Sequence, residues 1–141
     1  MWALTNFKAY YLIIGLFLFH TQFLKSQNKK VADSLVHIYE NNSFEASEKL
    51  ELLKNLVEAI VNPDLRLKYT DILIEEASKD SIHRYLLSGN LQKGHSYREK
   101  GNFARALEYY FHSLKLTEKE GDQTGTGIVL TSLGDTYSEA G

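Results

Sequence analysis

Apolar residues recur at helical spacing through most of this chain. In the clearest stretch they stand three and four positions apart, which is the stripe of an amphipathic helix. Its members are Leu50, Leu53, Leu56, Val57 and Ile60. Residues that end or start helices interrupt the pattern at intervals, near Asn41, Asn62, Asp80, Gly101 and Gly121. We therefore predict that the chain is nearly all helical from about residue 30 to residue 141.

Three of these interruptions carry capping residues. Asn62 precedes Pro63, which is the order of an N-cap followed by a proline at the first helical position. Asn42 and Glu45 have the spacing of a capping box, and Asp122 can cap a further helix. The caps predict separate helices joined by short turns.

Part of the chain repeats itself at a fixed interval. The three residues Gly94, Tyr97 and Gly101 stand 40 positions before Gly134, Tyr137 and Gly141. A fixed period of this order is typical of a solenoid, in which each unit buries its apolar face against its neighbours. Gly101 can adopt the left-handed conformation that closes a helix, and Asn102 can cap the next one, so the motif predicts two helices joined by a tight turn.

The motif continues with small and apolar residues, namely Phe103, Ala106, Leu107 and Tyr110. Gly94 and Ala106 are small enough to let two helices approach closely. Tyr97 and Tyr110 are large enough to fill the space between helices. The motif therefore predicts the packing of a helical hairpin as well as its turn.

This motif resembles the tetratricopeptide repeat (TPR), whose consensus has Gly, Tyr, Gly, an aromatic residue and Ala in the same order. The resemblance implies an all-α fold: a right-handed superhelical solenoid of helix-turn-helix repeats, truncated mid-repeat. It divides residues 44–141 into a degenerate unit at 47–86, a clear unit at 87–126 and a half unit at 127–141. An unpaired half unit predicts that the sequence is the N-terminal piece of a longer protein.

The chain departs from the family pattern in two ways. Its period is longer than the usual TPR period of roughly 34 residues. In addition, Asn90 and Lys93 stand where Trp and Leu are expected. The resemblance does not extend to residues 28–43, which we predict to be an N-terminal helix and linker.

The segment at residues 1–27 has the composition of a targeting sequence. A start with one Lys and no acid is followed by an almost unbroken apolar run and a polar stretch, at residues 1–8, 9–19 and 20–27. This order predicts a secretory signal peptide cleaved after Ser26. An uncleaved signal anchor and a buried helix are the alternatives, because the apolar run is short for a membrane span.

Charge and composition narrow the range of ligands and sites that we expect for this chain. The chain has a net charge of −2, and loss of residues 1–26 would leave 14 basic and 18 acidic residues, a net charge of −4. An acidic balance gives no electrostatic reason to bind nucleic acid or anionic lipid. The sequence has no cysteine, and its five histidines lack metal-ligand spacing. We expect no metal, no cofactor and no catalytic residues in this segment.

In TPR arrays the first helix of each unit lines a concave groove that binds a peptide. The resemblance places the following residues at groove positions: Leu91, His95, Arg98 and Glu99 in the clear unit, Thr131, Asp135 and Ser138 in the half unit, and Glu51, Asn55 and Glu58 in the degenerate unit. It implies a protein or peptide ligand. The alternative is that these are solvated polar residues with no ligand.

Two functions are compatible with these features. In the first, the chain is the exported sensory or interaction segment of a membrane-tethered signalling protein. It would then resemble the repeat regions that precede histidine kinase, nucleotide cyclase or helix-turn-helix output domains in Gram-negative bacteria. In the second, it is part of a freestanding periplasmic scaffold. An apolar span of about 20 residues downstream of Gly141 would distinguish the first from the second.

Overall fold

The computed structural model describes residues 28–141, and the predicted signal segment lies outside them. Helices joined by short turns make up nearly all of the described chain, which contains no β-strand. They are α1 at residues 28–40, a 3₁₀ helix (Ala46–Glu48), α2 (Lys49–Ala59), α3 (Pro63–Lys79), α4 (His83–Glu99), α5 (Phe103–Glu120) and α6 (Gln123–Ala140). The predicted all-α class and helix breaks are therefore confirmed. None of these helices combines the length and apolar character needed to cross a bilayer.

Side-chain caps and left-handed glycines set the helix ends. The capping oxygen accepts a hydrogen bond from the backbone N–H three residues later, at 2.9 Å for Asn62, 3.2 Å for Asn102 and 2.9 Å for Asp122. Gly101 and Gly121, which follow α4 and α5, have φ angles of 71° and 68°. Only glycine adopts this conformation without a steric penalty. The predicted roles of these five residues are confirmed.

The predicted capping box of Asn42 and Glu45 was wrong. Asn42 lies in the turn after α1 with φ of 50°. The backbone N–H of Glu45 instead donates to the carboxylate of Glu48, at 3.0 Å. The reason is that a 3₁₀ helix precedes α2, which moves the start of the helical segment three residues towards the C-terminus.

The sequence interval is also a period of the structure. Helix α5 begins 40 positions after α3, and α6 begins 40 positions after α4. Four buried positions of α3 have buried counterparts in α5 at the same interval: Arg66 and Ala106, Thr70 and Tyr110, Leu73 and Ser113, Ala77 and Thr117. The predicted units do not coincide with helix ends, since residue 87 lies inside α4 and residue 126 inside α6.

Two apolar clusters form the core of the described chain. The first lies among α1, α2, α3 and α4 and contains Leu53, Leu56, Val57, Tyr69, Leu73, Ala77 and Tyr85. The second lies among α4, α5 and α6 and contains Ala106, Tyr110, Val129 and Leu133. Helix α4 contributes to both clusters, so it connects the two halves of the core.

Helix α4 adjoins both α2 and α6, although α3 and α5 separate it from them in sequence. Each helix from α2 onwards packs on the next, and α2 also packs on α4. Arg98 of α4 forms ion pairs with Asp135 and Glu139 of α6. The groove residues predicted on these three helices therefore lie on adjoining elements.

The close approach predicted at Gly94 is present between α4 and α5. A Cβ atom added to Gly94 would lie 2.5 Å from Cε1 of Tyr110, so any side chain there would collide with the ring. Ala106 and Tyr110 are fully buried. The ring of Tyr97 stacks on that of Tyr109, with centroids 5.6 Å apart. These contacts confirm the predicted packing of the hairpin.

The remaining residues of the motif are less enclosed. Phe103 is half-buried at the start of α5, and Leu107 packs against the second cluster. On α6, Gly134 and Tyr137 are exposed, whereas their counterparts on α4 are not. Gly141 has φ of 93°.

Candidate functional site

Arg98 is the predicted groove residue that connects α4 to α6. Its guanidinium lies 3.4 Å from the carboxylate of Asp135 and 3.8 Å from that of Glu139, both on α6. The Arg98 side chain keeps 25% of its surface exposed, and both carboxylates are more exposed still. Long, solvated ion pairs of this kind contribute little to stability. The guanidinium therefore remains accessible to another acceptor.

His95 turns away from solvent towards α5. Its Nδ1 lies 2.7 Å from the hydroxyl of Tyr110, and the two rings meet edge to face with centroids 5.4 Å apart. Burial, together with the positive charges of Arg98 and Arg66, lowers the pKa of His95 below its ordinary value. Burial also raises the pKa of Tyr110 to about 12. The His95 side chain therefore takes part in the α4–α5 interface. Its role in ligand binding stays a prediction.

Glu99 is held by a buried arginine. The Arg66 guanidinium donates to Glu99 at 2.9 Å, and it also donates to the backbone carbonyls of Ile60 at 2.9 Å and Val61 at 3.3 Å. Arg66 itself is only 8% exposed. Each of these contacts gives the buried cation a partner, as burial of a charge requires. Glu99 thus links α4 to α3, and Arg66 links α3 to the end of α2.

Leu91 and the predicted residues of α6 differ in exposure. Leu91 is partly buried and packs against the second apolar cluster. Thr131, Asp135 and Ser138 are exposed on α6. The Thr131 hydroxyl donates to the backbone carbonyl of Gly127 at 2.9 Å, so its hydrogen-bond donor is already used within α6.

The predicted residues of α2 face α4. The Tyr85 hydroxyl donates to Glu51 at 3.1 Å, and the Ser88 hydroxyl donates to Glu58 at 3.3 Å. Asn55 is exposed and lines an open cavity of about 440 Å³ with Glu51. Arg84 lies on the same cavity wall. Lys54 of α2 lies 3.5 Å from Glu51 and 3.4 Å from Glu58, so this end of the surface combines acids, an amide and two basic groups.

The structure brings together some of the predicted residues and not others. Arg98 and Asp135 are in contact, and so are the α2 acids and α4. Among the hydrogen bonds and ion pairs of residues 28–141, the partners of His95 and Arg98 lie on α5 and α6 and do not include Asn55. We call the surface formed by the predicted groove residues of α2, α4 and α6 the α2/α4/α6 surface. It carries charges of both signs and can bind an extended polar ligand by hydrogen bonds and ion pairs.

Two side chains that contact the predicted groove residues were not predicted themselves. Glu139 stands 40 positions after Glu99, so the repeat itself carried the signal for it. Arg66 had no such signal, because its counterpart one period later is Ala106. Within residues 28–141, no group of three or more His, Asp or Glu side chains is placed to hold a metal ion.

Comparison of the chain with protein-family models, curated proteins and solved structures finds no match in any of the three. The structural period and the α2/α4/α6 surface are therefore the observations that bear on function.

Proposed function

We propose that this chain is a TPR-like solenoid that binds a protein or peptide along the α2/α4/α6 surface. The duplicated arrangement of α3–α4 and α5–α6 supports a repeat architecture. Repeat architectures present elongated surfaces built from equivalent positions of successive units. Such a surface suits an extended chain with several side chains better than a compact small molecule.

The partly exposed Arg98 guanidinium is the observation that carries the proposal. It lies between α4 and α6 with two acidic neighbours at 3.4 and 3.8 Å. A ligand carboxylate at about 2.8 Å would form a charge-assisted hydrogen bond that is stronger than either pair. The ligand we propose is therefore a peptide with an acidic side chain or terminus that displaces Asp135 or Glu139 from Arg98.

We further propose that the segment works outside the cytoplasm, as the N-terminal interaction or sensory part of a longer membrane-tethered signalling protein. The order of the N-terminal segment supports export: residues 1–8 carry a single Lys and residues 9–19 are apolar. The acidic balance of the remainder supports a protein partner over nucleic acid.

Panning a displayed peptide library against the full chain tests ligand binding. We expect enriched peptides to share an acidic position, and Arg98→Ala to weaken their binding by about tenfold through loss of one charge-assisted hydrogen bond. Lys115→Ala is the matched control, since it removes a cation from the surface of α5. Circular dichroism verifies that both variants are folded. Equal binding by both variants, or no enriched peptide, would refute the proposal.

A pair of reporters fused after Gly141 tests the compartment separately. We expect activity from an alkaline phosphatase fusion, which requires an oxidising compartment for its disulfides. A fluorescent protein that matures only in the cytoplasm should stay dark. The opposite result would overturn the export proposal and leave peptide binding untouched.

A further inference from the structure

Two arginines stand at opposite ends of one face of α4. Arg84, Leu91 and Arg98 are spaced seven residues apart, which is close to two helical turns, so their side chains leave the helix in nearly the same direction. Leu91 is partly buried and packs on the second cluster, whereas Arg84 is exposed and Arg98 is partly exposed. This face of α4 therefore offers a cation at each end and an apolar side chain midway between them.

Arg84 lies on the side of α4 that faces α2 and α6. It lines the cavity of about 440 Å³ that Glu51 and Asn55 of α2 also line. It lines a second cavity, of about 250 Å³, together with Asp122 at the start of α6. Arg84 thus extends the α2/α4/α6 surface to the N-terminal end of α4.

The Arg84 guanidinium can accept a further anion. Among the hydrogen bonds and ion pairs of residues 28–141, its only partner is the neutral hydroxyl of Tyr85, at 2.5 Å, and its Cζ lies 4.4 Å from the centre of that ring. The acids that line the two cavities each have another donor within 3.5 Å; they are Glu48, Glu51, Glu120 and Asp122. A ligand carboxylate would therefore meet a cation that no carboxylate of the described chain neutralises directly.

The separation of the two arginines sets the length of a ligand that bridges them. They stand 14 residues apart on one helix, which corresponds to about 21 Å. An extended or polyproline II peptide covers about 19–20 Å in six residues, and the long side chains can span the remainder. Side chains six positions apart share one side of the peptide in both conformations, because six is a multiple of two and of three. In polyproline II the residue midway between them shares that side as well.

We propose that the α2/α4/α6 surface binds a peptide with two acidic residues six positions apart, one held by Arg98 and the other by Arg84, and with an apolar residue between them over Leu91. The inference rests on the peptide-binding function proposed above and adds a second anchor at a defined distance. One solvated ion pair contributes little affinity, whereas two anchors on one peptide act at high effective concentration. The spacing of the acids then determines which peptides bind.

Three peptides of one conformation test the spacing. Each is rich in proline, blocked at both termini, and carries one Leu between two Glu that stand three, six or nine positions apart. The polyproline II backbone keeps the acids on one side in all three, so the distance between them changes, at about 9, 19 and 28 Å. We expect the six-spaced peptide to bind the full chain about fivefold more tightly than the others, by fluorescence anisotropy at low salt. Equal affinities, or no binding by any of the three, would overturn the inference.

Variants of the chain show whether Arg84 causes this preference. Arg84→Ala should abolish the preference for the six-spaced peptide, and so should Arg98→Ala. Arg105→Ala is the matched control, because it removes an exposed arginine from α5 and should leave the preference unchanged. Circular dichroism verifies that the variants are folded. A preference that survives Arg84→Ala would refute the second anchor alone, since the proposed function depends on Arg98 and on the peptides enriched by panning.

Exchange of the charges distinguishes ion pairing from a structural role of Arg84. Arg84→Glu should weaken binding of the six-spaced peptide, and replacement of one peptide Glu by Lys should restore it. Two such peptides, with Lys at one end or the other, cover both directions of the bound chain, and we expect one of them to bind. The same replacement in the three-spaced peptide controls for general attraction to an acidic protein and should restore nothing. Recovery at both spacings, or at neither, would contradict the two-anchor arrangement.

Discussion

His95 is a titratable side chain whose surroundings change on folding. It contacts Tyr110 of α5 and lies near Arg98 on its own helix and Arg66 on α3. The acid of Glu99 partly opposes these two cations. Because burial and the arginines disfavour the imidazolium, the pKa of His95 is lower in the folded chain than the unfolded value of 6.5.

This difference predicts a pH dependence of stability. Between the folded and unfolded pKa values the unfolded chain binds more protons at His95, so acid favours unfolding. Stability contributed by neutral His95 is fully present above pH 6.5 and is lost as the pH falls below it. We expect the free energy of unfolding of the chain to fall below that of His95→Gln from about pH 6.5 downwards, after matching the two at pH 8. Parallel curves over pH 5–8 would contradict the prediction.

The burial of Arg66 could not be predicted from the pattern of residues along the chain. Its place among the buried positions of α3 favours a small or apolar residue, as Ala106 is at the equivalent position of α5. Arg66 is buried because Glu99 and two carbonyls at the end of α2 supply its partners. Those partners lie as many as 33 residues away in sequence, beyond the reach of local spacing.

At the scale of the helices, the packing between α4 and α5 should respond to changes in side-chain volume. Ala106 is fully buried in the second cluster. Ala106→Leu adds three carbons where there is no space, and we expect a loss of about 1–3 kcal/mol in the free energy of unfolding. Arg98→Ala, which removes only solvated ion pairs, should stay within about 0.5 kcal/mol. Thermal melts compare the two, and equal losses would show that Ala106 is not at the close contact.

Most helix ends could be predicted because their causes are local. Asn62 and Asn102 act within three residues of themselves, and Gly101 and Gly121 need only their own backbone conformation. The exception, the segment before α2, is a 3₁₀ helix whose capping carboxylate belongs to Glu48. Glu45 and Glu48 have the same three-residue spacing as Asn42 and Glu45, so spacing alone does not distinguish the two caps.

The groove was harder to predict than the helices. Arg98 and Asp135 were identified from their repeat positions and do meet across α4 and α6. His95 and Glu99 were identified in the same way, yet both are engaged by other helices, at Tyr110 and Arg66. The position of a residue in the repeat determines which helix it lies on and roughly which face. The neighbour that its side chain contacts depends on the packing between units.

At the scale of the whole molecule, the helices differ in how many neighbouring helices pack against them. Helix α4 contributes to both apolar clusters and packs on α3 and α5, whereas α6 packs on α5 and leaves Leu130 and Tyr137 exposed. In quasi-one-dimensional folds each unit is stabilised mainly by its neighbours. Stability should therefore fall from α4 towards α6.

Native-state hydrogen exchange measures this gradient directly. We expect the amides of α6 around Val129–Thr136 to exchange through a local opening of lower free energy than those of α4 around Gly89–Ser96, because fewer buried contacts must break to release α6. Both segments lie at the middle of helices of nearly equal length, 18 and 17 residues, so end fraying does not account for a difference. Equal protection of the two helices in the free chain would mean that α6 and α4 unfold together, and that the second cluster alone stabilises α6 as strongly as two neighbours stabilise α4.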